Sequence, residues 1–370
     1  MTESVYIGLI SGTSMDGVDA AAVSFTTDGV TVHAALTHRF DPALETELGR
    51  LRERPERCDA GWLARLDARL GDAFAEAACA LLDRCSIPRN RIRAIGSHGQ
   101  TVFHDPRPPH GSSLQLGDPA RIAHRTGIDV IADFRRADIA AGGQGAPLAP
   151  LLHQRLLAHP GEHRLVLNLG GIANLSLLPA TGGVQGFDTG PANCLLDAWC
   201  RRHRGEPMDR DGRWAASGRV IRPLLEDLLS DPWFGAPPPK STGIEHFNLR
   251  WLEARLGRAG LPPTDVQATL AELTAASVAD AITRHVPFQA ARLLVAGGGA
   301  ANTELMRRIR ERVAPIPVQN VREMGVDPDH LEAMLFAWLA QEFVAGRAID
   351  TRSVTGARAP VRLGALWPAP

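Results

Sequence analysis

Residues 8–19, Gly-Leu-Ile-Ser-Gly-Thr-Ser-Met-Asp-Gly-Val-Asp, end one apolar run and begin another. Gly12, Thr13, Ser14, Met15, Asp16 and Gly17 would form the tip of a hairpin, with Val18 and Asp19 opening its second strand. Such a tip leaves backbone N–H groups and hydroxyls unshielded by side-chain bulk, which suits a phosphate. Two further glycine turns lie far along the chain, in Asn168-Leu169-Gly170-Gly171-Ile172-Ala173-Asn174 and in Gly297-Gly298-Gly299-Ala300-Ala301-Asn302. Any one of them is explained by a tight turn that needs glycine for its backbone angles. Three, each after a strand-like run, point to a nucleotide site built from distant segments. The third precedes a helix expected from Thr303, whose first N–H groups suit a phosphate or sugar oxygen.

Asp188 is the leading catalytic candidate. It stands between Gly186 and Gly190, after a short strand. A carboxylate there either caps the following helix or orients a hydroxyl or water for attack on a phosphoryl group or an anomeric carbon. Thr189, Pro191 and Asn193 offer capping chemistry nearer the helix. His98 with Gln100 reads as a hydrogen-bonded interior pair, or as a strand-end pair facing substrate. Arg135 and Arg136 offer a fork to a carboxylate or phosphate, in a chain where surface arginines are common. Glu332 fits a capping box, Asp329-His330-Leu331-Glu332, and lies off the apolar face of its helix.

These residues need strands that end in turns. Residues 5–10, 18–25 and 30–39 read as a strand meander. Trp62, Leu63, Leu66, Leu70, Phe74, Ala77, Ala78, Leu81 and Leu82 recur every three or four positions, which predicts a helix over about 61–85. Short strands follow at 93–97 and 129–133, the second entering a polar loop at 134–138. At 164–169 the pattern begins again: strand, glycine turn, strand to 178, then the Asp188 segment opening a helix. Residues 235–242 are proline-rich and read as a surface loop. Helices near 266–286, 303–313 and 329–345 follow, with a strand at 292–296. The alternation is α/β, and the repeated strand-rich start predicts two similar domains. Residues 1–131 with about 346–370 would form an N-terminal lobe, and 132–345 a C-terminal lobe, hinged near 131–135.

At 370 residues, 44% hydrophobic and 22% charged, the chain has ordinary globular composition and length for one large or two medium cores. A net charge of −1 supplies no basic field for nucleic acid or anionic lipid. No apolar run approaches membrane-spanning length, and no secretory leader is expected. Five cysteines without a CxxC pair argue against a zinc site or disulfide scaffold, and fit the cytoplasm. Lys240 is the one lysine among many arginines; this reads as coding bias.

Ile10-Ser11-Gly12-Thr13-Ser14-Met15-Asp16-Gly17, Gly96-Ser97-His98-Gly99-Gln100-Thr101, Leu167 to Asn174, Phe187-Asp188-Thr189-Gly190-Pro191 and Gly297-Gly298-Gly299 together resemble the anhydro-N-acetylmuramic acid kinases. The resemblance runs from Val5 to the Leu363-Gly364 region, and the Ser-Gly-Thr-Ser-Met-Asp-Gly string is its specific part. It implies an α/β, two-domain actin/hexokinase/Hsp70-like (ribonuclease H-like) fold with a central nucleotide cleft. Gly12, Thr13, Ser14, Met15, Asp16, Gly17, Val18 and Asp19 would then form the first phosphate hairpin of an ATP site. Gly170, Gly171 and Asn174 would form the second phosphate loop, and Gly297, Gly298 and Gly299 would lie against the adenosine.

By the same resemblance Asp188 is the general base. It would take a proton from water attacking the anomeric carbon and opening a 1,6-anhydro bridge, while the freed O6 takes the γ-phosphoryl group to give N-acetylmuramate 6-phosphate. Arg135, Glu332 and His98 are implied near the sugar, and the family implies a homodimer working in peptidoglycan recycling. Kinases of the broader fold often carry Asp at the end of the first strand. Here Ser11 stands there and Asn168 at the matching second place. Mg²⁺ is therefore expected to be held mainly by ATP and water, with no protein metal ligand. Two alternatives stay open: a simple sugar kinase acting on a free hydroxyl, and a nucleotide-driven binding switch.

Overall fold

The computed structural model describes residues 4–12, 14–26, 29–53, 58–257, 260–327 and 330–370. The chain packs as two units, Met1–Leu152 with His330–Pro370, and His153–Asp329.

In the first unit β1 (Val5–Ser11) pairs antiparallel with β2 (Gly17–Phe25), and β2 with β3 (Val30–Arg39). On its other side β1 runs parallel to β4 (Ile92–Asp105), and β4 parallel to β6 (Val130–Ala132). β5 (Ser112–Leu116) folds back on the far half of β4, and the last strand, β12 (Ala365–Trp367), lies antiparallel to β6 at the sheet edge. Every residue of β1 is buried, which is why it reads as a continuous apolar run rather than an alternating one. One face is covered by the helix Ala60–Arg84 through Leu66, Leu70, Phe74 and Leu81. The helix Leu331–Val344 packs on β1, β2 and β4. Its approach is very close: a Cβ on Gly8 would lie 1.7 Å from the Ala333 carbonyl oxygen, and one on Gly96 would lie 2.0 Å from that of Phe336.

In the second unit β7 (Arg164–Leu169), β8 (Ile172–Leu178) and β9 (Gln185–Pro191) form an antiparallel meander. β10 (Arg292–Ala296) runs parallel to β7, and β11 (Val318–Asn320) parallel to β10. The order β11-β10-β7-β8-β9 repeats the first unit's β6-β4-β1-β2-β3. Leu165, Leu167 and Phe187 of this sheet share a core with Leu270 and Val278 of the helix Pro263–His285. A three-stranded meander with parallel strands added beside its first member is the ribonuclease H-like sheet. Two of them in tandem make the chain an actin/hexokinase/Hsp70-like protein.

The units divide later in the chain than the expected hinge at 131–135, and the helix Leu331–Val344 belongs to the first unit, not the second. The reason is packing: Gly8 of β1 and Gly96 of β4 make room for the backbone of that helix. The segment expected as a polar loop at 134–138 is the helix Phe134–Ala140, and its polarity serves a buried network described below. Among the described residues no helix is long and apolar enough to cross a membrane.

Candidate active site

Asp188 lies inside β9, not after it, with Asn174 of β8 as its cross-strand partner. It is 9% exposed. Its Oδ2 accepts the Thr242 N–H at 2.8 Å, and its own N–H donates to the Lys240 carbonyl at 3.0 Å. Residues 240–242 thus run beside β9 and fix the carboxylate from the backbone. Burial pushes the Asp188 carboxyl up to about 7; the Thr242 hydrogen bond and the Lys240 charge oppose this, and the Glu245 charge adds to it. A carboxyl titrating near neutrality is matched to taking a proton at neutral pH. It does not cap a helix, since the helix Asn193–Arg204 starts beyond it with Ala192 at its cap.

β7 and β10 are parallel neighbours with Asn168 opposite Ala296, so the turns leaving their ends come together. A Cβ on Gly297 would meet Asn168 Oδ1 at 2.5 Å, and one on Gly299 would meet Leu169 Cβ at 2.7 Å. These two glycines are required by the packing of the turns themselves. Gly170 and Gly298 are different: a Cβ would meet nothing closer than 3.6 Å at the first and nothing within 4 Å at the second. The Cα of Gly298 faces open space, the condition for close approach of a ligand, whereas a Cβ on Gly170 would be in ordinary contact with Ile172 O and Asn168 Nδ2. The carbonyls of the Gly170-Gly171 turn are occupied. Asn193 Nδ2 donates to Leu169 O and Gly170 O at 3.0 and 2.8 Å, and the N–H groups of Ala192, Asn193 and Cys194 donate to Gly170 and Gly171. This ties the turn to the strand of Asp188. Beside Asp188, Asn174 Oδ1 is buried without a hydrogen-bond partner.

In the first unit a Cβ on Gly12 would meet nothing within 4 Å. Thr13 lies outside the described residues. Ser14 Oγ donates to Asp16 Oδ1 at 2.5 Å, and Asp16 also pairs with the Arg39 guanidinium. The Met15 N–H donates back to the Gly12 carbonyl at 3.2 Å, with Met15 at φ 56°. Ser14, Met15 and Asp16 therefore stiffen the hairpin. Gly17 is required because a Cβ would meet the His38 carbonyl at 2.6 Å, and Val18 is core. Asp19 Oδ1 accepts the Thr37 hydroxyl at 2.6 Å, and burial raises its pKa. Ser11 Oγ donates to Gln100 Oε1 at 2.6 Å, joining the ends of β1 and β4.

The same unit brings His98, Arg135 and Glu332 into one electrostatic group. Arg135 Nε donates to His98 Nε2 at 2.8 Å, so His98 is neutral and its Nδ1–H donates to the Gly99 carbonyl at 2.9 Å. Burial, then the charge of Arg135, holds the His98 pKa well below its usual value. Both ring nitrogens are engaged and the ring lies tilted against that of Phe336 with centroids 4.5 Å apart, so His98 stands behind Arg135. Arg135 Nη1 donates to the Gly145 carbonyl at 2.8 Å. Burial lowers its pKa to about 10 against the charges of Glu332 and Asp138. The helix Leu331–Val344 has His330 as its cap residue with no side-chain cap bond; the expected capping box involves Asp329, which lies outside the described residues. The protein packed around the Glu332 carboxyl raises its pKa by desolvation, opposed by the charge of Arg135 and reinforced by that of Asp19.

The sequence reading missed the supporting residues. Asp138, fully buried, accepts the Thr351 and Thr355 hydroxyls at 2.6 and 2.8 Å and the Gly145 N–H at 2.7 Å. It thereby fixes the loop whose carbonyl holds Arg135, and no local pattern signals it. Thr242 and Lys240, which frame Asp188, had one signal, the solitary lysine. Among the described residues no group of three or more His, Cys, Asp or Glu could hold a metal ion.

The model of the anhydro-N-acetylmuramic acid kinase family matches residues 4–369. Curated relatives of that name include a Xanthomonas axonopodis pv. citri protein, 53% identical over 368 residues covering 99% of this chain and 98% of its own. Another, from Xanthomonas campestris pv. campestris, is 52% identical over 99% of this chain and 97% of its own. A third, from Shewanella halifaxensis, is 46% identical over the full length of both chains. With its sheets, its glycine turns and its end-to-end likeness to these relatives agreeing, the chain belongs to the anhydro-N-acetylmuramic acid kinase family.

Proposed function

We propose that the protein uses ATP and water to convert 1,6-anhydro-N-acetylmuramic acid to N-acetylmuramic acid 6-phosphate, in peptidoglycan recycling. The observation that carries the chemistry is Asp188: a buried carboxyl fixed by the Thr242 N–H and titrating at about 7. As the oxygen of water bonds to the anomeric carbon, its proton passes to the Asp188 carboxylate. The C1–O6 bond breaks with its electron pair going to O6, O6 bonds to the γ-phosphorus, and ADP leaves. Transfer to O6 neutralises charge as it develops there, so one carboxylate suffices for both steps.

In this reading the Gly12–Asp19 hairpin and the Gly170-Gly171 turn with Asn174 hold the phosphates. Gly297, Gly298 and Gly299 receive the adenosine. The open space at Gly12 and Gly298 supports it. Arg135, held from behind by His98, suits the carboxylate of the sugar's lactyl group, and Glu332 faces sugar hydroxyls. Mg²⁺ bound with ATP would neutralise phosphate charge. Ser11 and Asn168 present neutral oxygens at the two strand ends, so ATP and water supply most of its ligands. The five cysteines are all free, which supports a cytoplasmic setting, and we place the enzyme there as a homodimer.

Turnover in ¹⁸O-labelled water tests the reaction. The expected product carries label at the anomeric oxygen and phosphate on O6. Phosphorylated product without label would leave a simple sugar kinase in its place.

A further inference from the structure

The helix Asn193–Arg204 starts beside the Gly297–Gly299 turn: a Cβ on Gly299 would lie 3.1 Å from Asn193 Nδ2. Asp197 is four residues further on, so it shares a helix face with Asn193, about 6 Å along the axis. Helical side chains lean toward the N-terminus, which turns the Asp197 carboxylate toward the glycine turn. Another segment packs on the residues that follow that turn. A Cβ on Gly212, at φ 68°, would lie 2.3 Å from Asn302 Oδ1 and 2.7 Å from Glu304 Cβ. Asp209, at the start of this segment, is fully engaged. Its Oδ1 and Oδ2 accept the Trp214 and Ala215 N–H groups, each at 2.9 Å, and Gln267 Nε2 lies 3.4 Å from Oδ2. Asp197 is not: among the described residues its partly buried carboxylate accepts no hydrogen bond and forms no ion pair. Burial pushes this carboxyl up to about 6; the Arg201 charge opposes the shift and the Asp209 charge adds to it. At neutral pH it is an anion that folding leaves without a partner, which costs stability.

We infer that Asp197 accepts the ribose hydroxyls of the nucleotide and so makes the enzyme prefer ribonucleotides to deoxyribonucleotides. The inference rests on the Gly297–Gly299 turn receiving the adenosine. A carboxylate offers two acceptor oxygens and no donor, the complement of two adjacent hydroxyls that each donate. The other polar groups here are spent: the Asn193 amide on the Leu169 and Gly170 carbonyls, and Asp209 on backbone N–H groups. Gly298, with nothing within 4 Å of a Cβ, leaves room for the nucleoside beside them. The spacing along the helix also follows the nucleotide. Asn193, at its first residue, ties down the turn proposed for the phosphates, and Asp197, one turn later, stands where the sugar follows.

The test is calorimetric binding of ADP, 2′-deoxy-ADP and 3′-deoxy-ADP to the full-length protein. The native chain should bind ADP about tenfold more tightly than either deoxy form, since a lost hydroxyl leaves a charged acceptor unpaired. In Asp197→Ala the three should bind within about twofold of one another, through weaker ADP binding. Should that variant fail to fold, Asp197→Asn keeps the size and removes the charge, and the gap should narrow to about threefold. A native chain without the gap, a gap that survives both substitutions, or equal weakening of all three nucleotides would overturn the proposal. Gly298→Val tests the adenosine site separately: it should weaken all three nucleotides together, by about tenfold. If it does so while the gap survives Asp197→Ala, the ribose contact alone is refuted. Unchanged binding in Gly298→Val would remove the adenosine assignment, and the proposal with it.

Discussion

At the scale of single residues, the base role proposed for Asp188 predicts both a pH profile and a local cost. A base works only when ionised, and burial pushes this carboxyl up to about 7. The rate with saturating substrates should therefore fall tenfold per pH unit below that value and level off above it. Asp188→Asn should lower kcat by about 10²–10⁴-fold while leaving the ATP dissociation constant, measured by calorimetry, within about twofold. Loss of ATP affinity with turnover preserved would contradict the assignment. The same raised pKa has a consequence for stability. A carboxyl whose pKa is higher folded than unfolded favours the fold below about 3.8, and the advantage is lost as pH rises toward 7. At full ionisation the penalty is about 4 kcal/mol. Asp188→Asn should thus melt several degrees higher than the parent at pH 8, with the gain shrinking toward pH 4. Asp188 was legible in the sequence because glycines flank it and better caps follow. Lys240, Thr242 and Asp138 were not, because each acts on a residue far along the chain, 52 positions away for Lys240 and Asp188.

At the scale of elements, periodicity located the meander strands and the long helices, missed shorter elements such as the helices Pro42–Glu53, Ala149–Leu157 and Leu249–Leu256, and could not say which surfaces meet. The helix Leu331–Val344 shows why. Its mean composition is apolar nearly all round, and ten consecutive positions, 331–340, include eight buried apolar residues. An apolar helix of this kind signals burial without naming its partner. The partner is set by Gly8 and Gly96, whose missing side chains let the helix backbone touch β1 and β4. In the sequence these glycines look like parts of loop motifs. Gly96→Ala must push the Phe336 carbonyl away from a Cβ that would otherwise sit 2.0 Å from it. We expect a loss of about 1–3 kcal/mol in stability, read by denaturant melts. Because Glu332 rides on that helix and His98 packs against Phe336, KM for the sugar should rise more than KM for ATP. Equal rises would place Glu332 and His98 away from the sugar.

At the scale of the whole molecule, the duplicated sheet order accounts for the repeated strand-turn-strand pattern visible in the sequence. The sequence reading placed about 346–370 with the first lobe, but not strand β12 itself, which at three residues is too short to announce itself. Yet it completes the first unit. It pairs Ala365, Leu366 and Trp367 with Ala132, Ile131 and Val130, the Ala369 N–H donates to Asp129 Oδ1 at 3.0 Å, and Trp367 packs on the first unit's core. Without β12, β6 becomes an exposed edge strand with unpaired N–H and C=O groups. The second unit has its own core, drawn from β7 to β10 and the helices that cover them. Truncation after Gly364 should therefore raise hydrogen exchange in β6 and β4 by at least tenfold while leaving β7, β8 and β9 unchanged, and lower the melting temperature of the first unit alone. Uniformly faster exchange in both units would mean that the two fold as one cooperative block, so that the duplicated sheets do not carry separate stabilities.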